Sequence, residues 1–167
     1  MRSLRIILEP IGIVRTDYSD EEVKRSHDGV SGVIEVYPEY SQGLYRLNGF
    51  SHIIVIAYFH KRKSRPLIIK PRGLLKYGLS LEELPDIGVF ASDSPDRPNH
   101  LALSILKVTK IVKNRIYVEN LDLYNGTPVL DIKPYTPSRA IDDYKLPNWY
   151  VNLINKVREK GFIINEI

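Results

Sequence analysis

Two stretches of this chain concentrate side chains that could do chemistry. The first is Asp122–Tyr135, DLYNGTPVLDIKPY. In it Asn125-Gly126 supplies a tight turn, Thr127-Pro128 leaves it stiffly, and Asp131, Ile132 and Lys133 follow in alternation. The two-residue period of a strand puts Asp131 and Lys133 on one face, a carboxylate beside an ammonium. Pro134, lacking an amide hydrogen, then ends the ladder before Tyr135. On these residues alone the pair is either the exposed ion pair of a hairpin or part of a site. The second stretch is Gly88–Asn99, GVFASDSPDRPN, where an apolar strand end runs into two prolines, two serines and two aspartates, with Arg97 between Asp96 and Pro98. It too is open between a polar loop and a site.

Other chemistries are excluded by what the chain lacks. There is no cysteine, which removes disulfides, zinc-thiolate centres and thiol nucleophiles. The four histidines, His27, His52, His60 and His100, lack paired spacing and have no acidic cluster beside them, so no metal site is expected. No Gly-x-Gly-x-x-Gly follows a strand, no phosphate loop is present, and no serine lies in a Gly-x-Ser-x-Gly elbow. The formal net charge is +4, and the excess is local: HKRKSR at His60–Arg65 is followed by Lys70, Arg72 and Lys76. That stripe suits a phosphate backbone or a solvated loop between strands.

The elements that must position these residues read as short strands. At 167 residues the chain fits a single domain over residues 1–167, large enough to bury one core. With 43% apolar and 26% charged residues, no apolar run of bilayer length and no cleavage signal after MRSLRIILEPIG, it is expected to be cytoplasmic, without membrane contact. Ile- and Val-rich runs punctuated by Pro, Gly, Asn and Asp predict strands at Ile6–Val14, Gly32–Val36, Ile53–Phe59, Leu67–Ile69, Leu101–Val112, Arg115–Leu121 and Val129–Ile132. Lys113–Arg115 reads as a hairpin turn, with Asn114 suited to a left-handed backbone. In the long strand before it Leu101, Leu103 and Ile105 share one face and Leu106 and Val108 then take over, which predicts a bulge or bend. Helix is expected mainly at the end, from Trp149 to about Lys160, capped by Asn148 and stopped by Gly161. Shorter helical turns are expected at Ser41–Leu47 and at Leu81–Leu84, the latter with a Ser80/Glu83 capping box. The fold class is mainly β: a small barrel-like domain or strongly curved sheet with a few short helices and a C-terminal helix over about 148–160.

Four segments together resemble the TsaA/TrmO (YaeB-like) family of S-adenosylmethionine-dependent tRNA methyltransferases. In family order they are PIGIVRTDY (Pro10–Tyr18), YSQGLYRLNGFSHIIVIAYFHK (Tyr40–Lys61), GVFASDSPDRPNHLALS (Gly88–Ser104) and LDLYNGTPVLDIKPYTP (Leu121–Pro137). The resemblance implies a compact β-barrel-like homodimer that binds S-adenosylmethionine near its subunit interface. Its implied reaction methylates the exocyclic nitrogen of threonylcarbamoyl-adenosine next to the tRNA anticodon. With only a short C-terminal helix, the chain is similar to the compact archaeal type. Such a reaction needs alignment and a mild base, because the sulfonium already activates the methyl and the acyl substituent acidifies the acceptor nitrogen. Asp131 is the candidate base, with Lys133 and Tyr135 orienting the carbonyl or the RNA, and Arg97 and Asn99 of the Arg-Pro-Asn step joining them as catalytic candidates.

For the cofactor, the resemblance implies Arg25, Ser26 and His27 where the family has a Pro-Arg-Gln-like motif, and His60-Lys61 after the third strand. It further implies Asp93, Leu103, and Asp122 with Asn125, Gly126 and Thr127 around adenosine and methionine. No metal is implied. The departures are specific: Asp93 stands where the family has Arg, His100 where it has Pro, and Leu101-Ala102 where it has Ile-Gly. An aspartate in place of an arginine reverses a charge, so a same-fold methyltransferase with another acceptor, or a catalytically silent RNA- or ligand-binding barrel, stands beside the first reading.

Overall fold

The structure is a computed structural model and describes residues 4–163. The chain divides into two compact units: Met1–Lys61 with His100–Thr136, and Arg62–Asn99 with Pro137–Ile167. No helix among the described residues is long and apolar enough to cross a membrane.

The first unit is a closed antiparallel barrel. Its strands are β1 (Gly12–Arg15), β2 (Val30–Val36), β3 (His52–Tyr58), β6 (Leu101–Val112), β7 (Arg115–Leu121) and β8 (Pro128–Pro134), joined in the order β1-β2-β7-β6-β3-β8 and back to β1. Alternation then decides inside from outside. Val14, Ile34, Val36, Ile53, Val55, Ala57, Ala102, Leu106, Ile116, Val118, Leu121 and Val129 fill the interior. Because every pairing is antiparallel, the chain leaves β1, β3 and β7 at one rim and enters β6 and β8 there. That rim carries residues 16–29, His60-Lys61 and Asp122–Thr127, while residues 37–51 and the β6–β7 turn lie at the other.

The second unit has its own core of Tyr77, Leu79, Leu84, Leu153, Ile154 and Val157. It holds a two-residue ribbon, β4 (Ile68–Ile69) with β5 (Ile87–Gly88), a 3-10 helix at Arg72–Tyr77, and the C-terminal helix α2 (Asn148–Glu159), which supplies Leu153, Ile154 and Val157. Lys160 donates to the carbonyl of Gly78 and pairs with Glu83, tying the end of α2 to the 78–83 turn.

Strands β6 and β7 run as expected, and β2, β3, β4, β8 and α2 lie within two residues of their expected bounds; the expectations that follow are corrected. The expected Ile6–Val14 strand shrinks to β1, because Pro10 offers no donor to a ladder, and Ile6, Ile7 and Leu8 are exposed. No handover occurs at Leu106: Ala102, Ser104 and Leu106 line the interior in unbroken alternation, Leu101, Leu103 and Ile105 face out, and the register slips later, between Val108 and Lys110. In the β6–β7 turn the left-handed residue is Lys113, while Asn114 exchanges bonds with Val36 of β2 instead. Pro147, not Asn148, occupies the cap position of α2 and makes no side-chain cap. Leu81–Leu84 is a turn braced by Ser80 N–H donating to Glu83, and the Ser41–Leu47 region is a 3-10 helix over Pro38–Leu44. The sequence reading missed β5 and a first helix, α1 (Asp20–Arg25), whose Ser19/Glu22 capping box is complete.

Gly29 joins two loops at the rim. It enters β2 with φ +75°, and a Cβ there would lie 2.4 Å from the backbone of Asn120, itself at φ 63° and donating to the carbonyl of Asp28. Both the left-handed backbone and the missing space require glycine. Gly29→Ala is therefore expected to destabilise the protein by about 2 kcal/mol or more, a fall of roughly 4–8 °C in Tm by scanning calorimetry; an unchanged Tm would contradict this packing.

Candidate active site

The barrel brings part of the sequence-derived set together on its outer surface. Across β6, β3 and β8 the register aligns Leu103 with Ile56 and Ile56 with Asp131; the next row aligns Ile105 with Ile54 and Ile54 with Lys133. Residues directly opposite in a ladder project to the same side, so Leu103, Asp131 and Lys133 share one outer face, with Leu103 and Asp131 about 10 Å apart at two strand spacings. The Asp131 carboxylate is held at both oxygens, Oδ1 accepting from Ile132 N–H at 2.9 Å and Oδ2 from the Lys133 ammonium. Leu103 is 64% exposed, and Leu101 and Ile105 extend the apolar row along β6. Tyr135 lies just past β8, its amide donating to the carbonyl of His52 and its ring edge-on to the His52 imidazole.

The rim gathers a second group. Tyr124–Thr127 is a turn closed by Thr127 N–H donating to the Tyr124 carbonyl, with Gly126 at φ +81°. Gly126 N–H donates to Val14, and Asn125 Oδ1 accepts from Thr16 N–H, which clamps the turn onto the end of β1. Thr127 is buried and belongs to this frame, whereas nothing lies within 4 Å of where a Gly126 Cβ would be, so its backbone is open to approach. Lys61 ion-pairs with Asp20 at 2.6 Å and lies 5.4 Å from the Tyr124 ring centroid. Asp122 is exposed and accepts from the buried Ser104 hydroxyl at 2.6 Å.

Burial and the neighbouring Lys61 lower the His60 pKa below its usual value, against the opposing pull of Asp20, so this imidazole is neutral at pH 7. Arg25 ends α1, exposed and 3.8 Å from Glu21; Ser26 caps that helix and donates to Gly29, and His27 is exposed beyond it.

Arg97, Asn99 and Asp93 belong to the other unit. There the loop 92–97 braces itself: Ser92 donates to the Val89 carbonyl, its hydroxyl accepts from Ser94 N–H, Ser94 accepts from Asp96 N–H, and Arg97 Nη1 donates to the Ser92 carbonyl at 3.0 Å. Arg97 thus shapes the loop. Asp93 is exposed with no cation in ion-pair range among the described residues. Two departures acquire local reasons. His100 is buried at φ 45°, a backbone that proline, fixed near −65°, cannot adopt. The methyl of Ala102 points into the barrel core rather than toward a ligand.

Sequence reasoning missed Asp20 and Ser104. The Ser19-x-x-Glu22 box was the available signal for α1, and hence for Asp20 at its first turn. Taken together the rim offers carboxylate, cationic and open main-chain groups. That donor set fits an amino-acid nucleoside: a carboxylate for ribose hydroxyls, cations for a carboxylate, and backbone for a base edge.

Comparison with known proteins shows the family. Residues 15–142 match the family model of the tRNA-methyltransferase O N-terminal domain. A probable S-adenosyl-L-methionine-binding protein of Pyrococcus abyssi is 32% identical over 95% of this chain and 85% of its own length. A tRNA (adenine(37)-N6)-methyltransferase of Rattus norvegicus is 36% identical over 66% of this chain, which spans 22% of that protein. The crystal structure of TrmO from Pseudomonas aeruginosa superposes with a TM-score of 0.64 at 25% identity, over 85% of this chain and 62% of that one. With a family model running through most of the barrel and the self-braced loop alike, the chain belongs to the tRNA-methyltransferase O family.

Proposed function

We propose that this protein transfers the methyl group of S-adenosylmethionine to the exocyclic nitrogen of a threonylcarbamoyl-adenosine beside the tRNA anticodon, in the cytoplasm and as a homodimer. The observation that carries the reading is the shared outer face on which an apolar row and a doubly held carboxylate stand side by side. When bound, S-adenosylmethionine supplies a methyl already activated by its sulfonium. The chain then has to bind, align and accept a proton.

Asp131 is the base in this reading. The acyl group on the acceptor nitrogen acidifies its N–H, so a carboxylate fixed in one orientation suffices, and each Asp131 oxygen keeps a lone pair beyond its present bond. Lys133 holds that orientation and, with Tyr135, orients the substrate carbonyl or RNA. Arg97 acts through the loop it braces. Asp122 and the Asn125–Thr127 turn hold the nucleoside part of the cofactor, His60 and Lys61 the amino-acid part, with Arg25, Ser26 and His27 bordering it and Leu103 as an apolar wall.

The dimer is supported by the exposed Leu101 and Ile105 on either side of Leu103, which a second copy would cover. Contact with tRNA is supported by Arg62, Lys63 and Arg65, which have no carboxylate in ion-pair range among the described residues, whereas Lys61 and Lys70 are paired with Asp20 and Asp86. That all 167 residues act as one domain belongs to the same reading, supported by a family model that crosses both units.

Incubation with tRNA carrying threonylcarbamoyl-adenosine and S-adenosylmethionine is expected to raise the mass of that nucleoside by one methyl group in digests read by mass spectrometry. No calorimetric binding of S-adenosylmethionine at millimolar concentration would remove the methyltransferase reading; methyl on another nucleoside would move it to another acceptor. Asp131→Asn is expected to lower kcat about 100-fold or more while the cofactor Kd stays within about three-fold. An unchanged kcat in this variant would take the base assignment away from Asp131.

A further inference from the structure

The end of the barrel away from the rim proposed to hold the cofactor carries its own cleft. It measures about 640 Å³ and sits between the 3-10 helix over Pro38–Leu44 with its following turn and the tip of the β6–β7 hairpin. That is the size range of small-ligand sites. Leu44 and Ile111 line its apolar part, Gln42 and Asn48 bring amide groups, Lys113 brings a cation, and Tyr45 stands at its edge. No carboxylate is among the lining residues.

Tyr45 is the feature that core packing does not explain. Its side chain is 79% exposed, and the Arg46 guanidinium lies 5.3 Å from the ring centroid. Arg46 and Lys113 both adopt left-handed backbone, at φ 63° and 54°, two of the four non-glycine residues that do so among those described. An L side chain adopts that conformation at a cost, and here it occurs at Lys113 in the cleft lining and at Arg46, the neighbour of the lining residue Tyr45.

The geometry points to a nucleotide-binding cleft that takes one unstacked base of a single-stranded RNA, the base stacking on Tyr45, its edge meeting the Gln42 and Asn48 amides, and its phosphate meeting Arg46 and Lys113. An exposed aromatic ring flanked by cations and amides is the combination that recognises splayed-out bases, since every base has a stacking face and an edge that amides can pair. Asp131 stands opposite Ile56, four residues from the His52 end of β3, roughly 13 Å at strand rise. The cleft therefore takes a nucleotide other than the one proposed to be methylated. The choice of RNA over a free nucleotide rests on the tRNA reading; the stacking chemistry does not.

The test uses the full chain and a fluorescein-labelled single-stranded RNA 12-mer followed by anisotropy, with adenosine monophosphate as a competing probe. Tyr45→Ala is expected to weaken RNA binding about ten-fold or more, and Tyr45→Phe, which keeps the ring, to stay within about two-fold of the parent. Both variants should bind S-adenosylmethionine unchanged and, the side chain being exposed, melt at the parent temperature. Adenosine monophosphate competing equally well in the parent and in Tyr45→Ala would contradict base stacking at this cleft. So would RNA affinity equal in Tyr45→Ala and the parent, an equal loss in Tyr45→Phe, or no RNA binding by the parent. Failure of the methyltransferase reading registers separately, as unmethylated nucleoside with the parent protein, and leaves the Tyr45 comparison intact.

Discussion

Closure of the barrel between β1 and β8 is the constraint on which the rest depends. Only two residue pairs, Gly12 with Val129 and Ile13 with Pro128, join those strands in register, reinforced by Ile11 and Val14 amides donating to Val129 and Thr127. Gly12 makes the approach possible from the other side, since a Cβ there would lie 2.5 Å from the Glu35 carbonyl on β2. Once the sheet is closed, every strand has an interior and an exterior, and no strand edge in it is left open. Whatever is polar or apolar on the exterior face is then available for something other than this core.

That division accounts for the placement of the candidate chemistry. On β6 the side chains turned into the interior include the small, buried Ala102 and Ser104. The larger Leu101, Leu103 and Ile105 are left outside beside Asp131 and Lys133. The same closure clamps the Asn125-Gly126 turn to the end of β1 and presents Asp122 above the Ser104 hydroxyl. Catalysis by alignment needs a frame of this kind, because a shift of about 1 Å in a positioned group is costly in rate.

Much of this was legible in the sequence, for physical reasons. Alternation placed Asp131 and Lys133 on one face, and Asn125-Gly126 marked its turn, because both depend on local backbone geometry alone. The inner and outer faces of β6 were misread, since Leu and Ile on the outside outweigh Ala and Ser on the inside in any count of apolar residues. The expected start of β1 failed at Pro10, where one missing donor outweighs four apolar neighbours. Helix α1 was passed over because a six-residue helix with one buried residue, Val23, has no apolar stripe to read. The Asp20–Lys61 pair joins residues 41 apart in the chain and was visible only once the barrel placed both at one rim.

The central claim is that methyl transfer takes place against the outer face of β6, β3 and β8. Methyl-resolved NMR of isotopically labelled Ile and Leu groups, during titration with S-adenosylhomocysteine, tests it most directly. The account predicts the largest shift changes at Leu103, with Ile56 and Ile54 next, and little change at the interior Ile34, Leu106 and Ile116. Shifts confined to interior methyls, or absent from Leu103 at saturation, would contradict it.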